Sequence, residues 1–277
     1  MTQESVLTHG VLNRSERSND AIDVHIEELR FEGFTLVPSG LGADDLAALR
    51  TRLDAVYAGQ VAELGGEEEL ARCSDLDVAR CPFVYDDAFV SVAANPNLLA
   101  VVERMLGNNF VLMQQNGLLT RPATVNYQVR WHRDLSYQHW VSTEPLAINA
   151  LLALDEFTIQ SGATFVLPAS HHRPEFPSDE YVRRHERVLE APPGTFLVLD
   201  GMLFHRAGRN VSGHPRRAVN HLIGRPFLGQ QFDFAAMLGD RYAEDSLLSR
   251  YLGYRWRPQP DVASWRAQRM LPAPSSL

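Results

Sequence analysis

The chain has 277 residues, 45% of them apolar and 22% charged, the composition of a globular protein long enough to bury most of the surface its unfolded chain exposes. Its 26 basic residues, every one an arginine, face 34 acidic ones for a formal charge of −8, which argues against nucleic acid or an anionic membrane as partner. The absence of lysine excludes Schiff-base chemistry and the lysine-dependent phosphate cradle of P-loop proteins.

Residues 1–20 are polar and aperiodic, which predicts disorder, and they lack the apolar stretch of a signal peptide. From there to residue 277 a single domain is expected. Ala21–Arg30 reads as a short helix and Phe34–Val37 as a strand. Residues 43–64 place leucine and alanine at helical spacing behind acids in the first turn. Residues 65–85 read as irregular. Asn95 followed by Pro96 forms a cap and first helical position, and that helix runs through Leu98–Leu106 to Gly107.

Beyond Asn109 the pattern changes. Short segments rich in Val, Leu, Phe and Thr recur between Pro, Gly and Asn punctuation at 110–120, 126–132, 146–154, 163–167, 195–199, 203–206 and 217–225. Such spacing predicts a β-sandwich or barrel over about 109–227, interrupted by one helix at 178–187 with Ser178 as cap. Residues 234–253 turn helical again, and the Pro-rich stretches 257–262 and 271–277 read as loop. The fold class expected is mainly β with flanking helices.

Cys73 and Cys81 are too few for a disulfide framework or a four-thiolate zinc site, so a reducing, cytoplasmic setting is expected. The longest nearly apolar run, Leu146–Leu154, is far short of a membrane span.

The segment Arg130-Trp131-His132-Arg133-Asp134 carries the chemistry. On a strand, residues i and i+2 share a face, so His132 and Asp134 can bind one metal. Together they supply two members of the two-histidine, one-carboxylate triad of non-haem iron sites. His25 and Glu27 have the same spacing, but on a helix they lie about 200° apart and cannot chelate one ion. A second histidine must come from a later strand. His205 ends the strand-turn-strand segment that begins at Pro193, and His221 in the next strand is its rival. Arg216 opens that next strand, where a guanidinium can grip a distal carboxylate. By the same parity Arg130 is expected to face the cavity, and an arginine there needs either an anionic or polyhydroxylated substrate or a structural acid. Gln138, His139 and Trp140 follow the triad closely and are candidates for the substrate mouth. Asn116 and Asn149 are further polar candidates that parity alone does not place. His171 and His172 are expected to organise a turn.

With these residues in view, the sequence resembles the phytanoyl-CoA dioxygenase-like branch of the iron(II)/2-oxoglutarate oxygenases. The marks are W-H-R-D at 131–134, S-G-A-T-F-V-L-P-A-S-H at 161–171, P-G-T-F at 193–196 and H-R-A-G-R-N-V-S-G-H-P-R at 205–216. The distal histidine and the oxoglutarate arginine of that family stand eleven residues apart, as do His205 and Arg216. Pro168-Ala169-Ser170-His171 departs slightly from the family's usual P-G-S-H.

The resemblance implies a double-stranded β-helix (jelly-roll or cupin-like) core. It further implies iron(II) held by His132, Asp134 and His205, 2-oxoglutarate anchored by Arg216, and O2 as oxidant. Gln115 matches a position that contacts oxoglutarate in some relatives. The implied activity is hydroxylation or another oxidation of a small polar metabolite or natural-product intermediate, with oxoglutarate decarboxylated to succinate. A halogenase would need Gly or Ala where Asp134 stands. The competing reading is a zinc hydrolase or isomerase on a cupin-like barrel, which has no use for Arg216.

Overall fold

The computed structural model describes residues 21–122, 127–135 and 141–270. The expected disorder of residues 1–20 and the loop at 271–277 lie outside that range. The amino-terminal part forms α1 (Ala21–Phe31), β1 (Phe34–Pro38), α2 (Ala43–Leu64), α3 (Glu67–Arg72), β2 (Val78–Arg80), α4 (Pro82–Tyr85), α5 (Ala88–Ala93) and α6 (Pro96–Leu106). The β-rich part follows as β3 (Val111–Thr120), β4 (Ala147–Ala153), β5 (Thr164–Val166), α7 (Asp179–His185), β6 (Arg187–Leu189), β7 (Thr195–Asp200), β8 (His205–Ala207) and β9 (Arg216–Gly224). The chain then turns helical in α8 (Phe234–Leu238), α9 (Leu248–Tyr251) and α10 (Val262–Met270).

The strands form two antiparallel sheets, one ordered β1-β7-β4-β9-β3-β2 and the other β6-β5-β8. Folded over one another, they make a double-stranded β-helix with helices on its outside. Strand alternation divides the large sheet cleanly. On β4, Ile148, Ala150 and Leu152 join the main core against α1, α2 and α6. Leu151 and Ala153 turn the other way and pack with Val166 of β5 and Leu189 of β6 between the sheets. The same parity holds on β7, where Phe196 and Val198 face the helices and Leu197 and Leu199 face inward. The inner face is therefore the floor of whatever the two sheets enclose.

The helix caps are as the sequence predicts at α6, where Asn95 Oδ1 accepts from the amides of Asn97 (3.0 Å) and Leu98 (3.3 Å). Three expectations are corrected. The region 65–85 is not irregular, since it carries α3, β2 and α4. A three-residue strand is too short for periodicity to show. β2 is held on its outer edge by Gln60, whose amide takes the Arg80 N–H (2.8 Å) and donates to the Arg80 carbonyl (2.6 Å). The tail 234–253 is helical as expected, in two short helices, but α10 follows where no element was expected. Finally, no strand spans the described part of 126–132. Tyr127–Val129 is a turn of 3-10 helix, and His132 pairs with the chain only through an isolated bridge.

Candidate metal centre

That bridge builds the site. His132 N–H donates to the His205 carbonyl and His205 N–H to the His132 carbonyl, both at 3.0 Å, so two histidines 73 positions apart face each other across one ladder rung. Their ring centroids lie 4.4 Å apart. Each imidazole is then oriented by its own backbone. Nδ1 of His132 donates to the Arg130 carbonyl (2.7 Å) and Nδ1 of His205 to the Leu203 carbonyl (3.0 Å). A proton fixed on Nδ1 leaves the Nε2 lone pair of both rings for a ligand. Asp134 enters by a turn, its N–H bonded to the Gly201 carbonyl (3.2 Å). Its Oδ1 comes within 3.8 Å of His205 Nε2, and its Oδ2 accepts from Asn149 Nδ2 at 2.9 Å. One ligand atom from each of His132, Asp134 and His205 lies within 4.8 Å of the others, the cluster of this kind found among the described residues. Burial, and next the proximity of His205, lower the His132 pKa, which keeps that ring neutral and able to ligate.

The pocket around the triad is floored by Leu151, Leu197 and Leu199 and reaches Arg216 on the inner face of β9. Arg216 is 3% exposed and stacks over Phe157 at 4.1 Å. Its Nη1 donates to the Gly162 carbonyl and its Nη2 to Thr120 Oγ1 (2.9 Å), while Nε is buried without a partner. The Gly162 carbonyl reaches it because residue 162 lies against the turn that follows β8. A Cβ at Gly162, whose φ is +82°, would sit 2.8 Å from the Gly208 carbonyl oxygen. Among the described residues Arg216 forms no ion pair, and burial pulls its pKa down to about 10. It remains a cation at neutral pH, and the nearby Asp155 charge that acts on it is ion-paired with Arg217. Arg217 points the opposite way and is paired with Asp54 (2.7 Å) and Asp155 (3.2 Å).

Other expected residues fall elsewhere. Gln115 does not line the pocket. It sits on the helix-facing side of β3, where its Oε1 accepts from Phe83 N–H (3.1 Å) and its Nε2 donates to the Phe89 carbonyl (2.8 Å) and to His221 Nε2 (2.9 Å). The oxoglutarate contact expected of it is therefore corrected. His221 shares that buried face and donates Nδ1–H to the Ala150 carbonyl (3.0 Å), so both its nitrogens are occupied and it is no rival to His205. The cavity-facing position of Arg130 rested on a strand that is not there; its side chain is exposed. Gln138, His139 and Trp140 lie outside the described residues. Asn116 accepts from Arg80 (3.2 Å). His171 and His172 do organise a turn, each reaching the Arg30 carbonyl.

Three pocket features escaped the sequence reading. Thr120 at the end of β3 and Gly162 in the turn before β5 hold Arg216 from outside its own strand. Asn220 lines the pocket with Oδ1 buried and unpartnered. Strand parity from Arg216 along β9 was a usable signal for it.

This fold with this cluster in its mouth defines the class of mononuclear non-haem iron dioxygenases. The chain belongs to the phytanoyl-CoA dioxygenase family, whose model matches residues 29–218. It is 34% identical over 230 residues to the Mycobacterium tuberculosis (strain ATCC 25618 / H37Rv) protein Rv1501, itself uncharacterised, covering 80% of this chain and 82% of that one. It is 26% identical to L-proline trans-4-hydroxylase of Streptomyces griseoviridis over 246 residues, 71% of this chain and 88% of the relative. Among solved structures, EctD from S. alaskensis with 2-oxoglutarate and 5-hydroxyectoine superposes with a TM-score of 0.60 at 20% identity, over 77% of this chain and 80% of that one. At that identity the likeness is one of fold.

Proposed function

We propose that the protein is an iron(II)/2-oxoglutarate-dependent dioxygenase acting on a small polar metabolite or natural-product intermediate. His132, Asp134 and His205 hold the iron and Arg216 holds the C5 carboxylate of 2-oxoglutarate. The observation that carries this reading is the buried, unpaired Arg216 in the same pocket as the triad. A desolvated guanidinium without a carboxylate is costly, and a dianionic co-substrate supplies what is missing. A zinc hydrolase would leave that cation unexplained.

The donor set fits iron(II): two imidazole nitrogens and one carboxylate oxygen are the two-histidine, one-carboxylate set of non-haem iron sites, and they would hold the ion with positions left for other ligands. Bound iron with O2 supplies the oxidising chemistry, at the expense of 2-oxoglutarate, which leaves as succinate and CO2. The protein's own share is positioning. The backbone bridge fixes the distance between the imidazoles, Arg216 with Thr120 and Gly162 fixes the far end of the co-substrate, and Leu151, Leu197 and Leu199 keep the floor apolar.

A polar substrate is supported by Asn220. Its buried Oδ1 needs a hydrogen-bond donor, which 2-oxoglutarate at neutral pH lacks, so a substrate hydroxyl or amine is the fitting partner. Arg130, Gln138 and His139 remain candidates at the entrance. Two free cysteines and the absence, among the described residues, of a helix long and apolar enough to cross a membrane fit a cytoplasmic setting. The test is oxygen-dependent release of succinate from 2-oxoglutarate by the iron-loaded protein. Its absence with iron, together with hydrolytic or isomerase activity with zinc, would favour the competing reading.

A further inference from the structure

We propose that Asn149 is a positioning residue that confines Asp134 to one ligating oxygen and so preserves the coordination position that O2 needs. The inference rests on the reading of the triad as an iron site and goes beyond it. Asn149 lies on the inner face of β4, 4% exposed, opposite Leu222 of β9 and Leu199 of β7. From there Nδ2 donates to Asp134 Oδ2 at 2.9 Å, while Oδ1 of the same carboxylate is the oxygen 3.8 Å from His205 Nε2. The two carboxylate oxygens are therefore distinguished before any metal arrives. One is turned toward the histidines and the other is tied to a neutral donor on a central strand.

The count of ligands shows why this matters. A six-coordinate ion holding two imidazoles and one carboxylate oxygen has three positions left. Two take the 2-oxo acid end of oxoglutarate and one takes O2. A carboxylate free to swing both oxygens onto the ion would use that third position, or would compete with the oxoglutarate. An amide N–H is suited to preventing this, because it binds the outer oxygen without adding charge and so leaves Asp134 a full anion toward the metal. A carboxylate at position 149 would compete for the metal, and an alkyl side chain would leave Oδ2 free.

The test uses cobalt(II) as probe in the full-length protein, without oxygen and without any substrate. The visible absorption of bound cobalt reports coordination number, and titration with 2-oxoglutarate reports how readily the open positions are filled. In Asn149→Leu the cobalt spectrum is expected to change, and the 2-oxoglutarate dissociation constant to rise at least ~10-fold, the loss of about 1.4 kcal/mol. Asn149→Ala, which leaves room for a water to donate in place of the amide, is expected to fall between Asn149→Leu and wild type, and it stands in if the leucine variant fails to fold. Wild-type spectra and affinities in the folded variants would overturn the role given to Asn149 while leaving the iron site intact. Failure of wild-type cobalt protein to bind 2-oxoglutarate at all would overturn the functional reading, and this inference with it.

Discussion

His132 and His205 exchange both of their backbone hydrogen bonds, and this one rung brings the His-x-Asp segment onto the rim of the small sheet. The bridge makes the two imidazoles a matched pair, whereas His221 is spent on Gln115 and Ala150. His132→Ala, Asp134→Ala and His205→Ala are each expected to abolish iron-dependent turnover and weaken metal binding at least ~10-fold, with circular dichroism near wild type. His221→Ala is expected to lower the melting temperature while metal still binds. Full turnover in His205→Ala would reassign the distal ligand.

Arg216 is the proposed anchor of the co-substrate. Removing one partner of a desolvated, charge-assisted pair typically costs about 2–5 kcal/mol. Arg216→Leu should therefore raise the apparent constant for 2-oxoglutarate at least ~30-fold, read from the dependence of succinate release on its concentration. An unchanged constant would move the anchor elsewhere, and Arg217 is already committed to Asp54 and Asp155.

Gln115 ties β3 to α4 and α5, its amide pairing with the Phe83 N–H, the Phe89 carbonyl and His221 Nε2. Gln115→Leu leaves buried polar groups unpaired at about 1–3 kcal/mol each. A melting temperature several degrees lower is expected, with the 2-oxoglutarate constant of the folded fraction unchanged. A raised constant at unchanged stability would restore Gln115 to the co-substrate site.

These outcomes mark what was legible in the sequence. Strand parity on β9 correctly sends Arg216 inward and Arg217 outward, because that strand is regular over Arg216–Gly224. The triad was found through the right residues but the wrong element, since a bridge and a turn do what a strand was expected to do. Arg130 was misplaced for the same reason. β3 is harder still, because its register with β9 shifts between Leu112 and Gln114, a bulge that no hydropathy pattern reveals. Asn149 was visible as a polar interruption of an apolar run, but only the contact with Asp134 gives it a role.

Acid should destabilise the protein through His221. Burial pushes its folded pKa down to about 4 from an ordinary 6.5. As pH falls below 6.5 the unfolded chain takes up this proton first, so stability present above that value is lost progressively toward pH 4. At about 1.4 kcal/mol per unit the loss is about 3 kcal/mol. His171, also pushed down to about 4 by burial, acts in the same direction. Denaturant midpoints of the metal-free protein between pH 7 and 4 should fall steeply, and less steeply in His221→Gln, which cannot titrate. Parallel pH profiles for the two would remove His221 as a cause.

The most direct measurement is an anaerobic optical titration of iron(II)-loaded protein with 2-oxoglutarate. Chelation of the 2-oxo acid by iron at this site should produce a visible charge-transfer band that saturates at one equivalent per chain, needs ~30-fold more co-substrate in Arg216→Leu, and is lost in His205→Ala. A protein that binds iron but shows no band and no thermal stabilisation by 2-oxoglutarate would contradict the assignment of the triad and Arg216 to one dioxygenase site.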